Sequence, residues 1–327
     1  MHFAQTDRLI SPLLHRIEVS FTSLKNQIGR RGIGDILRMR RGFHFGVLML
    51  LLAFAVSLFA LPVGAITNGT PDGYDHPYVC LVVFDWDHDN NPSTPAVPGW
   101  RTTGILLSPT VVLTAGHGTD GAVAARVWFD AGPIATIRDD PPGEYPYGGK
   151  SSYEGVPYTM PGFGYYLTNA GLPGFITCDV GIVELTERVP KKAVSEYGQL
   201  PTVGEVDALR VKTYVDLVGY GVQYQVTPRN EGGPYEAWRG TLTRYFAQAQ
   251  LLSGEFSISD RFLETTANSA QGKGGTAFGD SGGPVFKEGT STILAITSFG
   301  ANSNCAGTGY YYRIDQPDVL SFIGEFL

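Results

Sequence analysis

The chain has 327 residues, room for one large or two small domains, and its 43% hydrophobic content with 42 Gly and 21 Pro describes a β- and turn-rich globular protein. Its net charge of −7 makes nucleic acid and anionic membranes poor partners. With only three cysteines, Cys80, Cys178 and Cys305, at least one thiol has no partner within a monomer, and the sequence does not choose a pair.

In chain order, Arg38, Arg40 and Arg41 precede an apolar run from Val47 to Leu61, then Pro62 and Val63-Gly64-Ala65, small residues of the kind a signal peptidase reads. Residues 1–65 are therefore expected to be an N-terminal extension and secretory leader cleaved after Ala65, with Met39 an alternative start. A retained signal anchor is the other reading, although the uninterrupted run falls short of the roughly 18 residues of a membrane span. The leader holds 8 of the 24 basic and 3 of the 31 acidic residues, so the chain from Ile66 onward carries 16 and 28, a net charge of −12.

Short β-branched or aromatic runs follow, among them Val79–Phe84, Gly104–Leu107, Leu209–Val218 and Ile293–Phe299, separated by Gly, Pro, Asn and Asp clusters. After the first run, Asp85, Asp87 and Asp89 alternate in an expected hairpin loop. They could collect oxygen ligands for calcium or form a solvated acidic loop; the EF-hand glycine and glutamate are missing. The stretch 134–177, rich in Pro, Gly and Tyr, is too long for an ordinary connection and could wall a cleft. At the end of the chain, Val319, Leu320, Phe322, Ile323, Phe326 and Leu327 recur at helical spacing after Asp315 and Pro317, predicting a terminal helix over about 316–327.

Three segments carry chemistry. Gly279-Asp280-Ser281-Gly282-Gly283-Pro284 sets a serine in a glycine run whose backbone N–H groups can point at a reacting carbonyl, but a serine hydroxyl needs a base. Val111–His117 is an apolar strand ending in two small residues and a histidine, the candidate base. The other histidines past the leader, His76 and His88, stand in polar, turn-like sequence. Asp179 heads a second apolar strand, where burial demands a cationic or N–H partner such as an imidazole.

The order His117, Asp179, Ser281 resembles that of the chymotrypsin-like serine peptidases. The likeness runs from Ile66 to the C-terminus: Ile66-Thr67-Asn68-Gly69 is similar to the family's activated N-terminus, Thr114–His117 to its histidine box, Val218–Gly221 to its glycine-aromatic-glycine strand and Ser298–Gly300 to its substrate-pairing segment.

The resemblance implies an all-β fold of two packed six-stranded Greek-key β-barrels with a C-terminal α-helix: a first barrel over about 66–200, a second over about 201–315, then the helix. It implies a secreted, disulfide-poor serine endopeptidase acting on polypeptides, with no required cofactor and only transient membrane contact through the signal peptide. His117, Asp179 and Ser281 would be catalytic, and Gly279 and Ser281 would supply the oxyanion hole. The new ammonium of Ile66 would pair with Asp280. Gly275, Phe278, Ser298, Phe299, Gly300 and Gly309 would bind substrate. Gly275 at the pocket base supplies no carboxylate for Arg or Lys, which favours a large apolar or aromatic residue before the scissile bond.

The chain departs from the family at its bridges: Gly118 and Thr102 stand where the histidine-loop disulfide would be, and Ala277 stands where the partner of Cys305 would be. A catalytically silent binding protein of this fold and a serine esterase are the rival readings. A lipase-type fold conflicts with the chain order His, Asp, Ser.

Overall fold

The structure, a computed structural model, describes residues 66, 69–89, 91, 93–134, 152–166, 175–225, 238–252, 261–267, 274–302 and 304–327. The leader and residues 135–151 and 167–174 of the long insertion lie outside the described residues.

In chain order the elements are β1 (Thr70–Pro71), β2 (Val79–Trp86), β3 (Val97–Ser108), β4 (Val111–Thr114), a single helical turn α1 (Gly116–Thr119), β5 (Ala124–Trp128), β6 (Tyr153–Thr159), β7 (Gly164–Tyr166), β8 (Phe175–Thr177) and β9 (Gly181–Leu185). Then come β10 (Tyr214–Gly219), β11 (Tyr224–Gln225), β12 (Trp238–Arg239), β13 (Tyr245–Gln250), β14 (Phe262–Ala267), β15 (Pro284–Lys287), β16 (Ile293–Gly300), β17 (Gly307–Arg313) and α2 (Pro317–Gly324).

The first sheet closes in the antiparallel order β2-β3-β4-β9-β6-β5. Two of its strands are covered on both faces: Val79 to Asp85 of β2 and all of β4 are buried. The second sheet runs β1-β13-β10-β15-β16-β17-β14. Its end strand β14 meets the residues just after β13 through one antiparallel bridge, Leu251 with Thr265, and the Leu252 N–H donates to the Glu264 carbonyl at 3.2 Å. The second sheet is thus a seven-stranded half-barrel, where a full ladder closes the first. Ile66, Val215, Leu217, Leu263, Leu294 and Tyr311 fill it.

Three details differ from the sequence expectation. The strand expected from Leu209 starts only at Tyr214, because Lys212 takes φ +65° and the Thr213 N–H turns back to the Arg210 carbonyl. Thr70–Pro71, expected in the first barrel, pairs with Tyr245–Phe246 of the second. His76 is not in polar surroundings. Its ring stacks on Phe246 (5.8 Å) and Phe286 (5.5 Å), with Nδ1 2.5 Å from Asp72 Oδ1.

That contact belongs to a tie between the barrels. Arg244, fully buried just before β13, donates to Asp72 Oδ2 (2.7 Å), to the carbonyls of Gly73 (2.7 Å), Val79 (3.0 Å) and Phe129 (3.3 Å), and to the Tyr220 hydroxyl (3.2 Å). Burial pushes the Asp72 carboxyl upward, but His76 and Arg244 together hold it below its usual value. Breaking such a buried pair costs about 3–5 kcal/mol, so the cluster fixes how β1, β2 and β13 meet. Helix α2 caps the assembly. Pro317 sits in its first turn, and Val319, Phe322 and Ile323 are buried on one face.

Candidate active site

Strand β4 delivers the chain to Ala115, and α1 then swings His117 toward Asp179. Gly116 permits this approach: a Cβ there would lie 2.9 Å from the Val180 nitrogen and 3.1 Å from the Cys178 carbonyl oxygen. The His117 backbone N–H donates to Asp179 Oδ1 at 2.8 Å, and its ring Nδ1 stands 3.0 Å from both carboxylate oxygens. The Ser298 hydroxyl donates to Asp179 Oδ2 at 2.5 Å. Asp179 is fully buried, and these donors make its charge tolerable there. Burial alone would lower the His117 pKa, but the charge and hydrogen bond of Asp179 outweigh it and the pKa lies above the ordinary 6.5.

Asp179 is aimed by a turn that sequence reading missed. Cys178 adopts φ +50°, uncommon for a residue with a side chain, while its N–H donates to the Tyr312 hydroxyl at 3.0 Å and its carbonyl accepts from Val180 at 2.7 Å. Nothing in the sequence marks Tyr312, more than a hundred residues away, as that clamp.

The serine loop is seated on β3 and against the end of β4, the strand that leads to His117. Ser281 carbonyl oxygen accepts from the Thr103 N–H at 2.9 Å, and the Thr103 hydroxyl donates to the Gly279 carbonyl at 3.0 Å. At Gly282, with φ +74°, a Cβ would overlap Thr114 Oγ1, stand 2.5 Å from the Ala115 nitrogen and 2.7 Å from the Thr103 oxygen. Ser281 is thus brought beside the segment that carries His117. Gly282→Ala is expected to destabilise the protein by about 3 kcal/mol or more, from steric overlap combined with left-handed backbone strain. Denaturant unfolding measures this, and a loss below about 1 kcal/mol contradicts the seating.

An account of the loop's donors is informative. The N–H groups of Asp280, Gly282 and Gly283 are committed to the carbonyls of Ala277, Thr297 and Asp280. Those of Gly279 and Ser281, on either side of Asp280, donate no hydrogen bond among the described residues. Asp280 is fully buried and accepts from Gly221 N–H and Ala277 N–H, both at 2.8 Å. Desolvation nevertheless raises its pKa to about 7, against the lowering influence of those bonds and of the Arg101 charge. Ile66 is buried in the core of the same barrel.

Strand β15 covers β16 as far as Ile296, and Thr297 then bonds Gly282 and Gly283. Beyond it, no described strand pairs with that edge of Ser298–Gly300, so a chain approaching Ser281 has an open ladder. Phe299 lies on Tyr310 (4.7 Å, 9°) and edge-on to Phe262 (5.5 Å). Gly300 and Gly309 are paired across β16 and β17, yet they differ. A Cβ at Gly300 would meet only the Asn302 oxygen, at 3.8 Å, whereas at Gly309 it would be 2.5 Å from the Tyr311 hydroxyl oxygen. Gly309 makes room for that phenol and is not an open mouth. Gly275 precedes Thr276 at the start of the serine loop, and Phe278 packs against Val222, Ala277 and Cys305.

All three cysteines are free thiols. A Cβ at Gly118 would fall 2.8 Å from Thr102 Cγ2, so the two positions of the missing histidine-loop bridge are neighbours, as are Cys305 and Ala277. In the acidic loop, Asp87 Oδ1 accepts from Asp89 N–H (3.4 Å) and Asp89 Oδ1 from Asn91 N–H (3.0 Å), while Asp85 is buried in β2. Among the described residues no three His, Cys, Asp or Glu gather to hold a metal. No described helix is long and apolar enough to cross a membrane.

Two antiparallel barrels, with an imidazole–carboxylate pair on the first and a glycine-flanked serine on the second, define a serine-type endopeptidase. The chain belongs to the trypsin family, whose model, described as Trypsin, matches residues 89–321. It is 23% identical over 244 residues to Serine protease 1 and to Serine protease 2 of Drosophila melanogaster, covering 74% of this chain and 78% of each relative. A solved structure described as HL collagenase shares the fold, with a TM-score of 0.51 at 14% identity over 81% of this chain and 97% of that one.

Proposed function

We propose that the protein is a secreted endopeptidase that cleaves polypeptides through an acyl-enzyme on Ser281. The observation that carries this reading is the bond from His117 Nδ1 to a fully buried Asp179. With Nδ1–H donating to the carboxylate, Nε2 keeps its lone pair and is the ring atom able to take a proton. In the first step Ser281 Oγ attacks the scissile carbonyl carbon while its proton passes to His117 Nε2. The carbonyl oxygen becomes an oxyanion held by Gly279 N–H and Ser281 N–H, each donor worth about 3 kcal/mol. The C–N bond then breaks, the His117 proton leaves with the amine, and the same base activates water for deacylation.

Substrate backbone adds to the open edge at Ser298–Gly300, with Phe299 beneath it, and the side chain before the scissile bond enters the space among Gly275, Phe278, Gly300 and Gly309. Removal of the leader after Ala65 accompanies secretion and gives Ile66 a free ammonium to pair with Asp280.

The pH profile of peptide hydrolysis tests this reading. The base is the neutral imidazole, and Asp179 holds the His117 pKa above 6.5, so activity rises with pH and is half-maximal above 6.5. A limb centred well below 6.5, or hydrolysis indifferent to pH between 5 and 8, contradicts His117 as base.

A further inference from the structure

Gly118, the residue after His117, is buried against the ribbon of β2 and β3. A Cβ at Gly118 would lie 2.8 Å from Thr102 Cγ2 and 3.2 Å from Phe84 Cε2. Trp100 stands two residues before Thr102 on β3, on the same face, and pairs across the ladder with Phe84. Its indole Nε1–H donates to the Gly118 carbonyl at 2.8 Å, and its ring lies 6.4 Å from that of Phe84, which is fully buried.

The turn that carries His117 needs such a tie. Helix α1 is four residues long, its N-cap residue Ala115 makes no side-chain capping bond, and a single turn is not stable by itself. Its last carbonyls lie where the intrahelical ladder has ended and must find donors elsewhere. The Thr119 hydroxyl joins the turn to the Thr159 hydroxyl of β6 at 2.8 Å, and Asp179 accepts from the His117 N–H at 2.8 Å. Trp100 fastens it to β3, at the residue that follows His117 and beside the two positions, Thr102 and Gly118, where the histidine-loop bridge is missing.

We infer that Trp100 is a positioning residue for His117, its indole N–H holding α1 on β3 in place of the missing disulfide. The inference rests on His117 acting as the base of the proposed reaction. Proton transfer from Ser281 to Nε2 needs hydrogen-bond reach, and a misplacement of about 1 Å can cost on the order of a hundredfold in rate. The substrate strand is proposed to add to Ser298–Gly300 of the second sheet, so loss of the indole bond reaches kcat and spares KM.

The test combines Trp100→Phe, which keeps an aromatic ring on Phe84 and removes the N–H, with a covalent bridge supplied by Thr102→Cys and Gly118→Cys. The cysteine at 102 removes the Cγ2 that a Cβ at 118 would meet, and the two sulfurs can join. Fluorophosphonate labelling at Ser281 counts sites in every sample. On one peptide substrate, Trp100→Phe is expected to lower kcat about tenfold, with KM unchanged to within about twofold. In the bridged protein the same substitution should cost less than about twofold while oxidised and about tenfold once the bridge is reduced. That comparison within one protein decides the matter even where unbridged Trp100→Phe folds poorly. A kcat for Trp100→Phe within about twofold of wild type, a loss that falls on KM, or an equal loss in the oxidised and reduced bridged protein each overturns the positioning role and leaves the nucleophile standing. Wild-type enzyme that takes no label at Ser281 instead overturns the proposed function, and this inference with it.

Discussion

Ser281→Ala is expected to lower kcat/KM by a factor on the order of 10⁵ to 10⁶, with unfolding free energy unchanged to within about 0.5 kcal/mol. The two outcomes separate because, in the proposed mechanism, the hydroxyl would carry chemistry and no packing. Ser281 is half-buried, and what seats its loop is backbone: its carbonyl on Thr103, Gly282 on Thr297 and Gly283 on Asp280. Alanine keeps the N–H proposed to hold the oxyanion, so the residual rate would measure what the two donors achieve alone. Replacing His117 as well should cost little more, since each group is useless to the reaction without the other. A loss of less than tenfold would mean that another nucleophile does the work.

The second large effect concerns Ile66, the residue proposed to begin the chain after leader removal. Asp280 sits in full burial with its pKa raised from 3.8 to about 7. The sign follows directly: a carboxyl whose folded pKa is raised contributes stability fully below its unfolded pKa, and that contribution is lost as pH rises through about 7. On the proposed reading, the charge that Asp280 carries at neutral and alkaline pH would be met by an ammonium at Ile66.

Protein beginning at Ile66 is expected to be fully active at pH 8. The same protein with one alanine added before Ile66, or with Asp280→Asn, is expected to fall by about 10²- to 10³-fold in kcat/KM, the kinetic equivalent of an unpaired buried charge. Active-site titration together with peptide hydrolysis measures this. Retained activity in the extended form would show that the Gly221 and Ala277 N–H groups and the Arg101 charge seat Asp280 without the ammonium.

Local order along the chain made part of this architecture legible. Strands rich in β-branched, aliphatic or aromatic residues, such as Val79–Phe84 and Ile293–Phe299, appear where the sequence places them, and glycine-flanked Ser281 lies beside the histidine segment because a glycine at 282 fits that contact. Hidden in the sequence were long-range polar partners, which leave no periodic trace. Tyr312 orients Cys178, the Ser298 side chain supports Asp179 although its segment is expected to pair with substrate, and Arg244 ties Asp72 to both barrels. Lys212 ended a strand that β-propensity extended, because a left-handed residue outweighs the preference of its neighbours. At Gly309 the missing side chain leaves room for Tyr311, a packing partner that local sequence does not reveal.

The most direct measurement is the intact mass and N-terminal sequence of secreted protein before and after treatment with a fluorophosphonate, followed by peptide mapping. The account predicts a chain starting at Ile66 that takes up one phosphonyl group, on Ser281, and loses that uptake in His117→Ala. No adduct on a folded protein starting at Ile66, or an adduct on any residue other than Ser281, would contradict it.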